Sequence, residues 1–119
     1  MKLILKNSKL VFKKGASWTN VLSINTEDKD STYQDVSIPS GSTIKIVLTR
    51  LDARNAGFTT YLKKSDSTIV TLEGVFAKGT AIGTEYKLTV DYDVIAAKIR
   101  TTVDTATSFS KGIDIYVME

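Results

Sequence analysis

The aromatic side chains are the residues of this chain whose types and positions point most directly to chemistry with a ligand. Aromatic rings stack on sugars and on nucleic-acid bases, because each ring offers a flat apolar face. Trp18 lies between two hydroxyl residues and Tyr92 between two aspartates, so both are expected at turns where a ring is exposed. Tyr86 and Tyr116 are expected in the interior, in phase with apolar strand neighbours. We therefore take Trp18 and Tyr92 as the candidate ligand platform.

Two residue types that carry much of protein catalysis are missing, since the sequence contains no histidine and no cysteine. Their absence removes Ser-His-Asp and Cys-His nucleophiles, histidine-based or thiolate metal sites, and disulfides. Glu27, Glu73 and Glu85 could supply a carboxylate pair for glycoside hydrolysis, but nothing in their spacing places two of them across a cleft. We expect that the chain is not an enzyme, and that it has no catalytic residue, no cofactor and no metal site.

The pairs Asp28/Asp30 and Asp91/Asp93 suggest calcium, because hard cations bind several oxygen ligands that converge from a loop. Counting from Asp28, a tyrosine stands where an EF-hand loop requires glycine, and a proline stands where it requires glutamate. The preferred interpretation of both pairs is a solvated turn in which each aspartate hydrogen-bonds to its own backbone.

The N-terminal segment, residues 1–14, carries five lysines before the first acidic residue, although the net charge of the whole chain is only +3. We call it the basic arm, and its lysines are Lys2, Lys6, Lys9, Lys13 and Lys14. Such an arm attracts nucleic acid, anionic lipid or an acidic protein face. The preferred interpretation is an edge strand whose charged, solvent-facing side prevents edge-to-edge aggregation, because the arm lacks arginine and has only one interleaved aromatic residue. Nucleic acid is disfavoured as a partner.

Apolar residues recur with a period of two along most of the chain, which is typical of half-buried β-strands. The clearest case follows the turn at 39–42, where Ile44, Ile46 and Leu48 alternate with outward-facing residues. Val36 and Ile38 lead into the same turn. Further predicted strands are 2–5, 9–13, 19–25, 59–63, 68–72, 85–90 and 112–118.

One segment, 94–103, fits two structures. Ile95, Ile99 and Val103 would share one face of a short helix, whereas Ile95, Ala97 and Ile99 would share one face of a strand. The strand is favoured, because the run of β-branched residues at 101–103 is a poor helix end. About eight strands then predict an all-β fold, an antiparallel β-sandwich or jelly roll. The length of 119 residues suits a single domain, with 1–14 as a basic N-terminal strand or arm.

Several stretches of the sequence, taken in order, resemble jelly-roll units in virion proteins of tailed bacteriophages. They are Val36-Ser37-Ile38-Pro39-Ser40-Gly41, Tyr86-Lys87-Leu88-Thr89-Val90, Asp91-Tyr92-Asp93-Val94 and Ala97-Lys98-Ile99-Arg100. The opening Met-Lys-Leu-Ile-Leu-Lys-Asn-Ser-Lys-Leu is similar to the start of small structural proteins in phages of Bacteroidetes hosts. The resemblance spans roughly residues 33–119 together with that opening, and it also extends to glycan-binding sandwiches built on the same plan.

The resemblance implies a non-enzymatic virion structural protein, a capsid decoration or fibre-type component. Its partners would be copies of itself or other virion proteins, in a homo-oligomer or bound to a shell. The alternative is a carbohydrate-binding or adhesion module with a glycan ligand, located outside the cell or in the cytoplasm. No signal peptide and no apolar run of about 20 residues is visible, so we expect no membrane partner.

Overall fold

The computed structural model describes residues 17–28, 30–52, 57–77, 79–101 and 110–118. Eight β-strands form in this part of the chain, and they confirm the all-β prediction. They are β1 (Trp18–Thr26), β2 (Gln34–Ile38), β3 (Thr43–Leu51), β4 (Phe58–Lys64), β5 (Ile69–Phe76), β6 (Glu85–Thr89), β7 (Val94–Thr101) and β8 (Lys111–Met118). The strands predicted at 2–5 and 9–13 lie outside the described residues.

The strands form two four-stranded antiparallel sheets that pack as a sandwich. The first sheet has the order β1-β8-β3-β6 and the second has the order β2-β7-β4-β5. The pairing is nested, since β1 pairs with β8, β2 with β7, β3 with β6 and β4 with β5. Two further pairings, β3 with β8 and β4 with β7, join these pairs within each sheet. The predicted β-sandwich is confirmed.

Strand β3 follows the alternation read from the sequence. Ile44, Ile46 and Leu48 are fully buried and face the second sheet, whereas Lys45 and Val47 lie on the outer face. On the neighbouring β8, Ile115 pairs with Ile46 and Ile113 with Leu48, and both are also fully buried. Because successive side chains of a strand point to opposite faces, burying one set fixes the other set on the outer surface.

The ambiguous segment forms strand β7 from Val94 to Thr101, so the helical alternative is wrong over this range. Ala97 and Ile99 are fully buried and pair with Leu62 and Thr60 of β4, while Lys98 points outward. The segment forms a strand because β7 hydrogen-bonds to a neighbouring strand on each side, β2 and β4. Local helix propensity is too weak to offset these pairings. Residues 102 and 103 lie outside the described residues.

The core lies between the two sheets and draws large side chains from both. The rings of Phe58 and Phe76 in the second sheet pack with their centroids 5.5 Å apart. The buried apolar cluster consists of Ile24, Ile38, Ile44, Ile46, Leu48, Phe58, Leu62, Leu72, Phe76, Val90, Val94, Ala97, Ile99, Ile113 and Ile115. Because these residues fill the space between the sheets, the candidate functional side chains that the structure describes lie mainly on outer faces, in loops and at strand ends.

Candidate functional site

The outer face of the first sheet carries Trp18, one of the two predicted platform residues. Trp18 is the first residue of β1, paired with Met118 of β8, rather than a residue of a turn. Asn20 pairs with Tyr116 two residues along, so Trp18 and Tyr116 lie on the same face. The indole is half-buried, so part of its surface remains in contact with solvent.

Two lysines approach the Trp18 ring. The Lys45 Nζ lies 4.6 Å from the centroid of Trp18 and 5.1 Å from that of Tyr116, and the Lys87 Nζ lies 5.9 Å from the Trp18 centroid. Strand register explains the grouping, since Lys45 of β3 stands opposite both Tyr116 of β8 and Lys87 of β6. Ammonium groups at these distances are within the range of cation–π attraction.

Two carboxylates complete this group. Glu85 Oε2 lies 3.8 Å from Lys45 Nζ and Glu85 Oε1 lies 3.9 Å from Lys87 Nζ, both longer than a hydrogen bond. The Tyr116 hydroxyl donates to Asp114 Oδ2 at 3.4 Å. Burial of the phenol, followed by the charge of Asp114, raises the pKa of Tyr116. We name this group the Trp18 patch, consisting of Trp18, Lys45, Glu85, Lys87, Asp114 and Tyr116.

The prediction that Tyr116 is interior is wrong. Along β8 the inward residues are Ile113, Ile115 and Val117, so Tyr116 points outward and is only half-buried. The alternation in the sequence already carried this signal. Lys45 and Lys87 were not predicted as site residues, because their proximity to Trp18 depends on the order of strands in the sheet, which alternation does not reveal.

Tyr92, the other predicted platform residue, is half-buried in the loop between β6 and β7, where it packs against the core. Its ring lies 4.9 Å from the Nζ of Lys64, which belongs to the second sheet. Burial raises the pKa of Tyr92, and the charge of Asp91 adds to this shift. Trp18 and Tyr92 therefore have different lysine neighbours, on different sheets, and do not share one cluster of described side chains.

A second group of tyrosines and lysines lies on the outer face of the second sheet. The Nζ of Lys98 is 5.1 Å from the ring centroid of Tyr33 and 5.3 Å from that of Tyr61, and the Nζ of Lys63 is 5.5 Å from Tyr33. Lys98 pairs with Tyr61 across β7 and β4. Each sheet therefore carries its own aromatic and lysine group on its outer face.

One aspartate of each Asp-x-Asp pair makes a long-range contact, which differs from the expected hydrogen bond to its own backbone. Asp30 forms ion pairs with Lys98 at 2.9 Å and Arg100 at 3.8 Å. Asp93 Oδ1 accepts a hydrogen bond from the backbone N–H of Ser40 at 2.8 Å. In the described ranges, no three acidic side chains are grouped so that they could hold a metal ion.

Lys111, at the start of β8, is fully buried and was not predicted as a site residue. Its ammonium donates a hydrogen bond to the backbone carbonyl of Asp28. Burial lowers the pKa of Lys111, while the charges of Asp28 and Asp30 oppose that shift. Beside it lies a cleft of about 220 Å³, lined by Asn25, Thr26, Glu27, Arg50, Ser110 and Lys111. Nothing in the residue pattern indicates this burial, because a lysine at the start of a strand ordinarily faces water.

The lysines of the basic arm, Lys2, Lys6, Lys9, Lys13 and Lys14, lie outside the described residues. Their role as an assembly surface remains a prediction. Among the residues that are described, no helix has the length and apolar character needed to cross a membrane.

Comparison with known proteins assigns no relative to this chain. No protein-family model matches it, and neither a curated protein nor a solved structure does so. The strand order, the edge strands and the Trp18 patch are therefore the features from which a function is inferred.

Proposed function

We propose that this chain is a non-enzymatic structural protein of a tailed-bacteriophage virion, a capsid decoration or fibre-type component that acts through protein–protein assembly. The nested strand order is the observation that supports this most directly. Pairing β1 with β8, β2 with β7, β3 with β6 and β4 with β5 gives the order of a jelly roll. Jelly rolls recur in viral capsid domains and in lectins, and the resemblance of the sequence favours the virion.

The proposed assembly surface is the free edge of β1 together with the basic arm. β1 forms one edge of the first sheet, and no described strand pairs with its other side. A bulge between Asn20 and Leu22 interrupts the ladder, so the regular stretch of this edge is 22–26. Unpaired backbone groups of an edge strand are a template for a strand from another chain. The arm precedes β1 in the sequence, so both would contact the same neighbour.

The proposal that the chain is not an enzyme rests on its composition. Without histidine or cysteine, the side chains best suited to proton transfer near neutral pH and to thiolate chemistry are missing from the whole sequence. The proposed location is the virion, where the protein would bind copies of itself or a shell protein.

The native mass of the full chain tests the assembly proposal. We expect a trimer or a larger homo-oligomer by light scattering and native mass spectrometry, and a chain lacking residues 1–14 should lose mass toward the monomer. A matched variant, in which residues 1–14 are scrambled, keeps their charge and length but loses their alternation. If strand addition holds the assembly, the scrambled variant behaves like the deletion, whereas an arm that acts through charge alone leaves the scrambled variant oligomeric.

Membership of a virion is tested separately, by mass spectrometry of gradient-purified particles from a culture in which the chain is encoded and expressed. The chain should be present at a fixed stoichiometric ratio to the major shell protein. Particles without it, together with a full-length chain that remains monomeric at high concentration, would refute the proposal.

The second candidate function is a carbohydrate-binding or adhesion module, and the Trp18 patch is the observation that favours it. An aromatic pair surrounded by charged side chains on an open sheet face suits a saccharide better than Tyr92 does, because Tyr92 packs against the core. A monomeric native mass, combined with saccharide binding, would favour this candidate over assembly.

A further inference from the structure

We infer that the Trp18 patch binds an uncharged saccharide, whether or not the chain belongs to a virion. Three features of the patch carry this inference: a lysine with a largely covered side chain whose ammonium hydrogen-bonds to no described residue, an even balance of donors and acceptors, and a net charge of zero. Each feature restricts the chemistry of the occupant.

Lys45 supplies the first feature. Its side chain is only 14% exposed, and its ammonium donates no hydrogen bond to any residue that the structure describes, Glu85 being 3.8 Å away. The rings of Trp18 and Tyr116 both lie within cation–π range of the ammonium, but aromatic faces do not replace hydrogen-bond acceptors. The three N–H donors of the ammonium therefore still need oxygen acceptors. Water or a ligand hydroxyl must supply those oxygens.

The second feature is the mixture of donors and acceptors around the rings. Lys45 and Lys87 can only donate, whereas the carboxylates of Glu85 and Asp114 can only accept. Saccharide hydroxyls do both, so neighbouring hydroxyls could join Lys87 to Glu85, whose side chains are 58% and 44% exposed. The C–H face of a pyranose would pack on the half-buried indole of Trp18, because both surfaces are flat and apolar.

The charge of the patch argues against other occupants. Two lysines and two carboxylates sum to zero, so a polyanion would meet Glu85 and Asp114 as well as the ammonium groups. An apolar protein surface would have to desolvate four charged side chains, which is costly without matching partners. A polar but uncharged ligand avoids both penalties. Met118, the pairing partner of Trp18, is 38% exposed and widens the apolar part of the platform.

The composition of the chain provides a direct probe, because Trp18 is the single tryptophan. The full-length chain would be titrated with uncharged oligosaccharides of β-linked glucose, α-linked glucose, α-linked mannose and N-acetylglucosamine while tryptophan emission is recorded. A galacturonic acid tetramer and an oligothymidylate serve as anionic comparison ligands. We expect a saturable change of emission with at least one uncharged oligosaccharide and none with the two anions.

Variants then locate the binding site by calorimetry or by NMR of the backbone amides. Lys87→Met removes an exposed donor with little risk to folding, and we expect about tenfold weaker binding, the effect of losing one hydrogen bond to a charged group. Tyr116→Ala should weaken binding to a similar extent, with circular dichroism as the check on its fold. The matched controls are Lys98→Met and Tyr61→Ala, an equivalent pair on the opposite face, which should leave the affinity within about twofold.

The inference is overturned if no uncharged oligosaccharide changes the emission, or if the affinity survives Lys87→Met and Tyr116→Ala in folded protein. A response restricted to the galacturonic acid tetramer or to the oligothymidylate would equally overturn it, in favour of a polyanion. None of these outcomes alters the native mass or the presence of the chain in particles, so the saccharide inference and the virion proposal succeed or fail separately.

Discussion

Groups on neighbouring strands and loops stabilise individual charged residues of this protein, and these groups differ between two lysines, Lys45 and Lys111. The Lys45 ammonium lies 4.6 Å from the ring centroid of Trp18 and 5.1 Å from that of Tyr116, so its charge is close to two aromatic rings. Lys111 is fully buried at a strand end and donates to the backbone carbonyl of Asp28. A fully buried ammonium is more sensitive to desolvation than one that reaches the solvent. The titration of Lys111 should therefore be visible in the stability of the whole fold.

Lys111→Met tests this effect. Burial holds the pKa of Lys111 in the folded chain below 10.5, so between that lowered pKa and 10.5 the unfolded chain binds more protons. The free energy of unfolding contributed by Lys111 therefore rises with pH across this window. We expect Lys111→Met to remove that rise, measured by denaturant unfolding at a series of alkaline pH values. Lys87→Met, which removes an exposed lysine, is the control, and equal slopes in the two variants would contradict the prediction.

Burial destabilises the charged form of Lys111, whereas the fold stabilises the charged form of Asp66, which lies in the turn between β4 and β5. Its Oδ1 accepts hydrogen bonds from the hydroxyl and the backbone N–H of Thr68 at 2.6 and 3.0 Å. The hydroxyl bond, followed by the backbone bond, lowers the pKa of Asp66 below 3.8. Its stabilising effect is complete above the unfolded-state pKa and is lost as pH falls through the lowered folded-state pKa.

We expect Asp66→Asn to flatten the acid dependence of the thermal midpoint, because an amide does not titrate. Thr68→Val separates the causes, since it removes the hydroxyl bond but keeps the backbone donor. NMR titration of the Asp66 carboxyl in Thr68→Val should give a pKa closer to 3.8 than in the parent chain. An unchanged pKa in that variant would assign the shift to the backbone alone.

At the scale of strands, the alternation of apolar residues in the sequence is sufficient to predict where strands form and which of their faces is buried. The spacing of Ile44, Ile46 and Leu48 predicts both strand β3 and its buried face, because a period of two is a local property of the sequence. The site was less accessible to prediction. Trp18 meets Lys45 only because β8 pairs with both β1 and β3, and these pairings join residues about 60 to 100 positions apart. Tyr92 was grouped with Trp18 because exposure at a turn was inferred for both without knowledge of strand order.

Gly57 marks a close approach between β4 and the end of β5. A Cβ at this position would lie 2.2 Å from the backbone oxygen of Phe76 and 2.7 Å from backbone atoms of Ala77, so the two segments would have to separate. We expect Gly57→Ala to lower the free energy of unfolding by about 3 kcal/mol, the upper part of the over-packing range. Urea unfolding of the variant measures the loss.

Gly79→Ala is the comparison for Gly57→Ala. Gly79 has a positive φ of 81° and no atom within 4 Å of an added Cβ, so only backbone strain opposes alanine there. That strain costs about 1 kcal/mol. Equal losses in the two variants would show that the segments at Gly57 move apart easily.

At the scale of the whole molecule, the two sheets share one core. Ile46 and Ile115 of the first sheet and Leu62 and Ile99 of the second belong to the same buried cluster. Neither sheet can lose its partner without exposing this apolar surface to water, which is the main source of its stability. The two sheets should therefore unfold together, as expected for one domain.

Cooperative unfolding is measurable, because the single tryptophan belongs to the first sheet while Ile99 is fully buried in the second. We expect Trp18 fluorescence and far-UV circular dichroism to give the same unfolding midpoint. Ile99→Val should lower the stability reported by both probes by about 1 kcal/mol, the usual effect of removing one buried methylene. Thr71→Ser, an exposed change in the same sheet, is the control and should shift neither. Two separate transitions, or a shift absent from the fluorescence, would mean that the sheets unfold independently.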